Sequence, residues 1–156
     1  MTTHECFTIT RQLAARPATV FRAWADPVLK RRWFVDSDGP QWHERRYALD
    51  FRVGGQESGS FELTEGPGKG LHENVTHYLG ITPDTRILYA YTMAMNGRIH
   101  SASLATVDMA AEGSGTRLTY TEQGTFLEGS DGTDMRRGGW EHRLNALETV
   151  LWKESA

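Results

Sequence analysis

The chain has 156 residues, 38% of them hydrophobic and 24% charged, with a formal net charge of -3. This is enough chain for one domain (residues 1–156) with a real core, and too apolar a composition for a disordered chain. The slightly acidic balance gives no general attraction to nucleic acid. No apolar run approaches the roughly 18 residues of a membrane span, so neither nucleic acid nor membrane is an expected partner.

No basic-then-apolar leader opens the chain, and the single cysteine, Cys6, cannot form an internal disulfide. Both features suit a reducing cytoplasm. Cys6 itself reads as a small, half-buried strand residue.

Residues 5–14 alternate Phe7, Ile9 and Leu13 against Thr8, Thr10 and Gln12, an opening strand with one buried face. Pro17 suits the first position of a helix, and Val20, Phe21 and Trp24 recur at helical spacing. Asp26-Pro27 restarts the chain, with Asp26 as cap and Leu29, Trp33 and Phe34 on the next helical face. The adjacent Lys30, Arg31 and Arg32 read as a solvated face of that helix.

Residues 36–46 read as a loop. Tyr47, Leu49, Phe51 and Val53 then alternate with polar positions up to Gly54-Gly55, which marks a turn or bulge. A strand bearing Phe61 and Leu63 ends at a glycine-rich turn, and another occupies 72–81. Thr82-Pro83-Asp84-Thr85 is a turn with proline at its second position. The strand at 86–95 places Ile87, Tyr89, Tyr91, Met93 and Met95 on one face, and Asn96-Gly97 is a strong hairpin signal. Strands at 98–109 and 116–126 follow.

A small polar loop leads into a terminal helix from Thr133 or Asp134. Its stripe of Trp140, Leu144, Leu147 and Leu151 is spaced four, three and four apart. Short turns between strands imply an antiparallel sheet and an α+β class, with that stripe covering the sheet's apolar face. A buried Trp140 implies a loss of about 3–5 kcal/mol on truncation to alanine.

Catalytic motifs are largely missing. His72-Glu73 and His77 have histidines five apart on a predicted strand, so they face opposite sides and do not form a zinc-protease pair. The Gly66-Pro67-Gly68-Lys69-Gly70 turn lacks the glycine spacing and hydroxyl residue of a phosphate-binding loop. No serine stands in a Gly-x-Ser-x-Gly elbow.

Asp26-Pro27 followed by Trp33-Phe34, Arg52-Val53-Gly54-Gly55, Pro83 to Arg86-Ile87, Gly115-Thr116-Arg117-Leu118-Thr119, and Gly139-Trp140 with Leu144 and Leu147 occur in this order. The set resembles the START-like, helix-grip superfamily (SRPBCC). Within it, the chain is similar to the group of the C-terminal domain of the activator of the ninety-kilodalton heat-shock protein ATPase. The resemblance runs from about Phe7 to Leu151. It implies a curved antiparallel sheet of about six or seven strands gripping the last helix, with a cavity between them for apolar or aromatic ligands. It implies no particular activity, because such folds host carriers, cyclases and co-chaperone domains alike.

Within that frame, the ligand-pocket candidates are Trp33, Phe51, Phe61, Tyr89, Tyr91, Met93, His100, Tyr120, Glu122, Trp140 and Leu144. Tyr89, Tyr91 and Met93 would offer π faces and an adaptable thioether, or simply fill the core. Trp33, Phe51 and Phe61 read first as structural. If Leu118 faces the terminal helix, period two brings Tyr120 and Glu122 to the same face. A carboxylate there would be desolvated and available as acid, base or anchor. The plainer expectation for Glu122 is a residue near the strand end that reaches water or pairs with an arginine such as Arg143. In the loop from Thr125 to Asp134, Phe126 and Leu127 would close over a ligand or serve as plain connector.

The resulting expectation is a binding protein for a small apolar or aromatic molecule, with no catalytic residues, no metal and no organic cofactor. A cyclase or dehydratase using Glu122, Tyr120 or His100 is one alternative. A co-chaperone-like module, with a protein partner, a small or filled cavity and an exposed apolar or charged patch on the sheet's outer face, is the other.

Overall fold

The computed structural model describes residues 1–154. Strand β1 (Thr3–Leu13) is followed by helices α1 (Pro17–Ala25) and α2 (Pro27–Phe34). Strands β2 (Trp42–Leu49), β3 (Gln56–Leu63), β4 (Gly70–Thr82), β5 (Arg86–Met95), β6 (Arg98–Glu112) and β7 (Gly115–Phe126) come next, then helix α3 (Thr133–Glu154). The strands form one open antiparallel sheet in the order β1-β7-β6-β5-β4-β3-β2. Consecutive strands from β2 to β7 are neighbours, as short turns dictate, and β1 closes beside β7. This is the helix-grip arrangement.

Local chemistry explains most boundaries. Pro17 and Pro27 sit at helix starts, where the missing N–H is not needed. The Asp26 carboxylate accepts from the amides of Val28 and Leu29, at 2.8 and 3.2 Å, capping α2. At the β5–β6 hairpin, Asn96 and Gly97 both take positive φ, at 51° and 82°. Two such residues give a turn whose twist matches the strands.

Three single-residue bulges punctuate the sheet. The pairing skips Arg45 on β2, Leu79 on β4 and His100 on β6. The last turns His100 inward beside Ser101, so both are buried.

The core lies between the inner sheet face and α3, whose Trp140, Leu144, Leu147 and Leu151 are all buried. Trp140 stacks on Tyr120 at 4.3 Å between ring centroids and on Trp24 at 6.1 Å. Trp24 in turn meets Trp33 edge-on at 4.7 Å. One aromatic chain thereby ties α1, α2, α3 and the sheet together.

Three sequence expectations are corrected. Strand β2 begins at Trp42, inside the segment read as a loop, because edge pairing with β3 extends it through His43, Glu44, Arg45 and Arg46. Cys6 is exposed on the outer face of β1. Lys30 is buried, turned beneath α2 by a carboxylate partner on β3.

Candidate functional site

A cavity of about 210 Å³ opens between the inner face of β3, β4 and β5 and the first half of α3. Its apolar walls are Phe34, Trp42, Phe61, Tyr89, Tyr91, Met93, Met135 and Trp140. Gly139 on α3 keeps one wall low, since a Cβ there would meet nothing within 4 Å. The polar lining is concentrated on β3 and β4, in Glu57, His72, Glu73, Asn74 and Thr76, with Arg136, Arg143, Asp38 and Asp131 at the helix side.

Register explains this layout. Reading across the inner face, Glu57 pairs with Thr76, Thr76 with Tyr91 and Tyr91 with Ser103. The next row runs Gly59, Asn74, Met93 and Ser101. Alternation along each strand therefore sends two largely polar rows under the start of α3, where Arg136 meets them.

Two buried ion pairs frame the cavity. In the first, Glu122 is 0% exposed and accepts from Tyr91 Oη at 2.7 Å, Tyr120 Oη at 2.7 Å and Ser103 Oγ at 2.8 Å. Arg136 Nη1 adds a fourth contact, at 3.3 Å. Arg136 also donates in bidentate fashion to Asp131, at 2.8 and 3.0 Å, and to Ser101 Oγ at 2.7 Å. Burial opposes the Arg136 charge, but Tyr91, Asp131 and Glu122 outweigh it and hold the guanidinium above its ordinary value. Burial likewise pushes the Tyr91 and Tyr120 hydroxyls up, so both remain donors.

In the second pair, Lys30 Nζ lies 3.0 Å from Glu57 Oε2, and the Tyr47 hydroxyl donates to the same oxygen. Each member of the pair is 2% exposed. The ammonium sits against the rings of Phe34, Trp24 and Trp33, 4.5 to 5.2 Å from their centroids. Burial drives the Lys30 pKa down, partly offset by Glu57.

Of the sequence candidates, Phe61, Tyr89, Tyr91, Met93 and Trp140 line the cavity. Trp33, Phe51, Tyr120 and Leu144 pack behind it in the core. Glu122 sits beneath Tyr91 in its hydrogen-bond network and partners Arg136, neither water nor Arg143. Arg143 instead pairs with Asp38 at 3.6 Å and donates to the Phe34 carbonyl. His100 is buried near the β7–α3 loop, its Nδ1 3.8 Å from Asp131 without a hydrogen bond. The Tyr89 hydroxyl is also without a hydrogen bond of adequate geometry, although Tyr120 lies close enough to perturb it. Phe126 is buried under the Arg136 guanidinium, 5.1 Å from the ring centroid, and is not a cavity wall.

The sequence reading passed over Glu57, Arg136 and Asp131 and placed Lys30 on a solvated face. Two of them had a legible signal. Arg136 stands four residues before Trp140, extending the α3 stripe by a turn, and Lys30 stands three before Trp33 on the buried face of α2. Glu57 had none, since the segment Gln-Glu-Ser-Gly-Ser carries no apolar alternation.

No cluster of three or more His, Cys, Asp or Glu among the described residues is placed to hold a metal ion. No helix among them is long and apolar enough to cross a membrane.

The sequence pattern of the family described as Activator of Hsp90 ATPase homolog 1-like protein matches residues 14–151. Among solved structures, an uncharacterized protein from Rhizobium leguminosarum is 39% identical, with a TM-score of 0.87 over 98% of this chain and 97% of that one. The Mll3558 protein from Rhizobium loti is 40% identical, with a TM-score of 0.83 over 96% and 99%. At 19% identity and a TM-score of 0.69, the AHSA1-like protein from Aeromonas hydrophila shares the fold over 97% of this chain and 94% of its own. No curated protein matches the chain.

Proposed function

We propose that this chain, which belongs to the Activator of Hsp90 ATPase homolog 1-like family, binds a small aromatic or apolar molecule between its sheet and its C-terminal helix. The observation that carries this reading is the cavity itself, about 210 Å³ with walls of Phe34, Trp42, Phe61, Tyr89, Tyr91, Met93 and Trp140. Concave, mainly apolar sites with a few polar groups are the usual form of small-molecule sites. The mainly apolar and aromatic walls support this reading over the interaction-module alternative, which expects a small or filled cavity and an exposed patch on the sheet's outer face.

The reading is of binding without catalysis. Glu122, the residue a cyclase would rely on, has all its hydrogen-bonding capacity engaged by protein groups. It is 0% exposed beneath Tyr91 and Tyr120, out of a ligand's reach.

Gly139 supplies the test. Native mass spectrometry of protein purified from its own host reads any retained molecule, and thermal-shift screening of aromatic and lipid compounds reads added ones. Gly139→Leu should fill the cavity without breaking a contact, and a helix interior favours leucine over glycine by nearly ~1 kcal/mol. Retained ligand or a thermal shift in the native protein, lost in the folded variant, supports the proposal. An unbound native protein with no shift across a broad library overturns it.

A further inference from the structure

Three adjacent side chains on the cavity floor hold hydrogen-bonding capacity that the protein leaves unused. Lys30 and Tyr47 converge on Glu57 Oε2, and Oε1 has no partner among the described residues. The Thr76 hydroxyl and the Asn74 side-chain amide have none either. Glu57, Thr76 and Asn74 are only 2%, 3% and 8% exposed, and all three line the cavity. The fully buried side-chain atoms without a hydrogen-bond partner among the described residues lie on Trp24, Tyr89 and His100, so the open groups of Glu57, Thr76 and Asn74 face the cavity's solvent, where a ligand can meet them.

Their arrangement is set by the sheet. Glu57 and Thr76 are cross-strand partners, which places their Cβ atoms about 5 Å apart. Asn74 lies two residues along β4 on the same face, about 7 Å from Thr76. Gly59, opposite Asn74, leaves the space its amide occupies, since a Cβ there would come within 2.6 Å of Asn74 Oδ1.

We infer that this patch is a subsite for a neutral hydroxyl on an aromatic ligand, that is, for a phenol. The inference rests on the ligand-binding reading above and gives that ligand its chemical class. A carboxylate oxygen only accepts, so whatever meets Glu57 Oε1 must donate. A hydroxyl donates there and accepts in return from Thr76 or Asn74, using both of its capacities. At the subsite itself the Lys30 ammonium already neutralises Glu57 and disfavours a second cation beside it, while Asp38 and Asp131 elsewhere in the lining are paired with Arg143 and Arg136. The ring behind the hydroxyl lies among Phe61, Tyr91, Met93 and Trp140.

The test uses four probes on one framework: 4-phenylphenol, 4-methoxybiphenyl, biphenyl and 4-(aminomethyl)biphenyl. Affinities come from titration calorimetry or from quenching of Trp42 and Trp140 fluorescence. In the native protein, 4-phenylphenol should bind about tenfold more tightly than biphenyl or the methoxy compound, as a charge-assisted hydrogen bond implies. The amine should bind no better than biphenyl.

Thr76→Val should narrow the phenol preference severalfold and leave biphenyl unchanged. Glu57→Gln alone leaves Lys30 unpaired, so the carboxylate is tested in K30M/E57Q, where the phenol preference should vanish. Equal binding of all four probes, tightest binding of the amine, or a preference that survives both variants overturns the subsite and leaves the container standing. Failure of all four to bind overturns the container reading for aromatic ligands and the subsite with it.

Discussion

The two buried ion pairs of this protein differ in completeness. Around Glu122 every lone pair has a donor, and the network runs through Arg136 to Asp131 on the β7–α3 loop. Around Glu57 both partners crowd onto one oxygen, and the other borders the cavity. A saturated network holds elements in place and has nothing left for a ligand. An unsaturated one beside a cavity retains binding capacity at the expense of stability.

The sharpest way to break this comparison is at Glu122. Glu122→Leu leaves Arg136 with Asp131 as its one carboxylate and three hydroxyls without an acceptor, and should cost about 3–5 kcal/mol in urea unfolding. Adding Arg136→Met should not restore the loss, because Tyr91, Tyr120, Ser103 and Ser101 remain orphaned.

At the second pair the pattern should reverse. Lys30→Met alone strands the Glu57 charge and should cost about 3 kcal/mol. K30M/E57Q should recover most of that, since a thioether suits the cage of Trp24, Trp33 and Phe34, and the introduced amide oxygen still accepts from Tyr47. If the first double variant recovered and the second did not, the contrast would be inverted. Asp26→Ala, remote from both pairs, should cost only about 1 kcal/mol through the lost α2 cap, seen as a lower urea midpoint.

The smallest effect concerns pH. Burial holds His100 below its ordinary value of 6.5, with Asp131 opposing and Arg136 reinforcing the shift. Between the two values the unfolded chain binds more protons than the folded one, so stability falls as pH drops through about 6.5. It levels off once pH passes below the folded value. His100→Gln should flatten the melting-temperature profile between about pH 7 and 5.5, and an unchanged slope would place the titration elsewhere.

Much of the scaffold was legible along the chain. Asn96-Gly97 marked its hairpin, Asp26-Pro27 its helix start, and the α3 stripe its buried face, because each depends on neighbours within a few residues. Period two correctly grouped Leu118, Tyr120 and Glu122 on one buried face. It failed at His100, where a bulge turns two successive residues inward. It also missed the start of β2, whose charged residues His43 to Arg46 are exposed and show no alternation. Edge strands often carry charge for this reason.

Local pattern alone determined that this chain is a sheet closed by one amphipathic helix, since turn chemistry and apolar spacing act over short separations. Which polar residues are buried, and which of them remain unsatisfied, was decided only in three dimensions. Lys30 turns inward because Glu57, 27 residues away, arrives beneath it across the fold. Glu122 is closed off because hydroxyls from β5, β6 and β7 and an arginine from α3 converge on it. A charge is buried only where its partner is present, and these partners are brought together by the packing of separate elements.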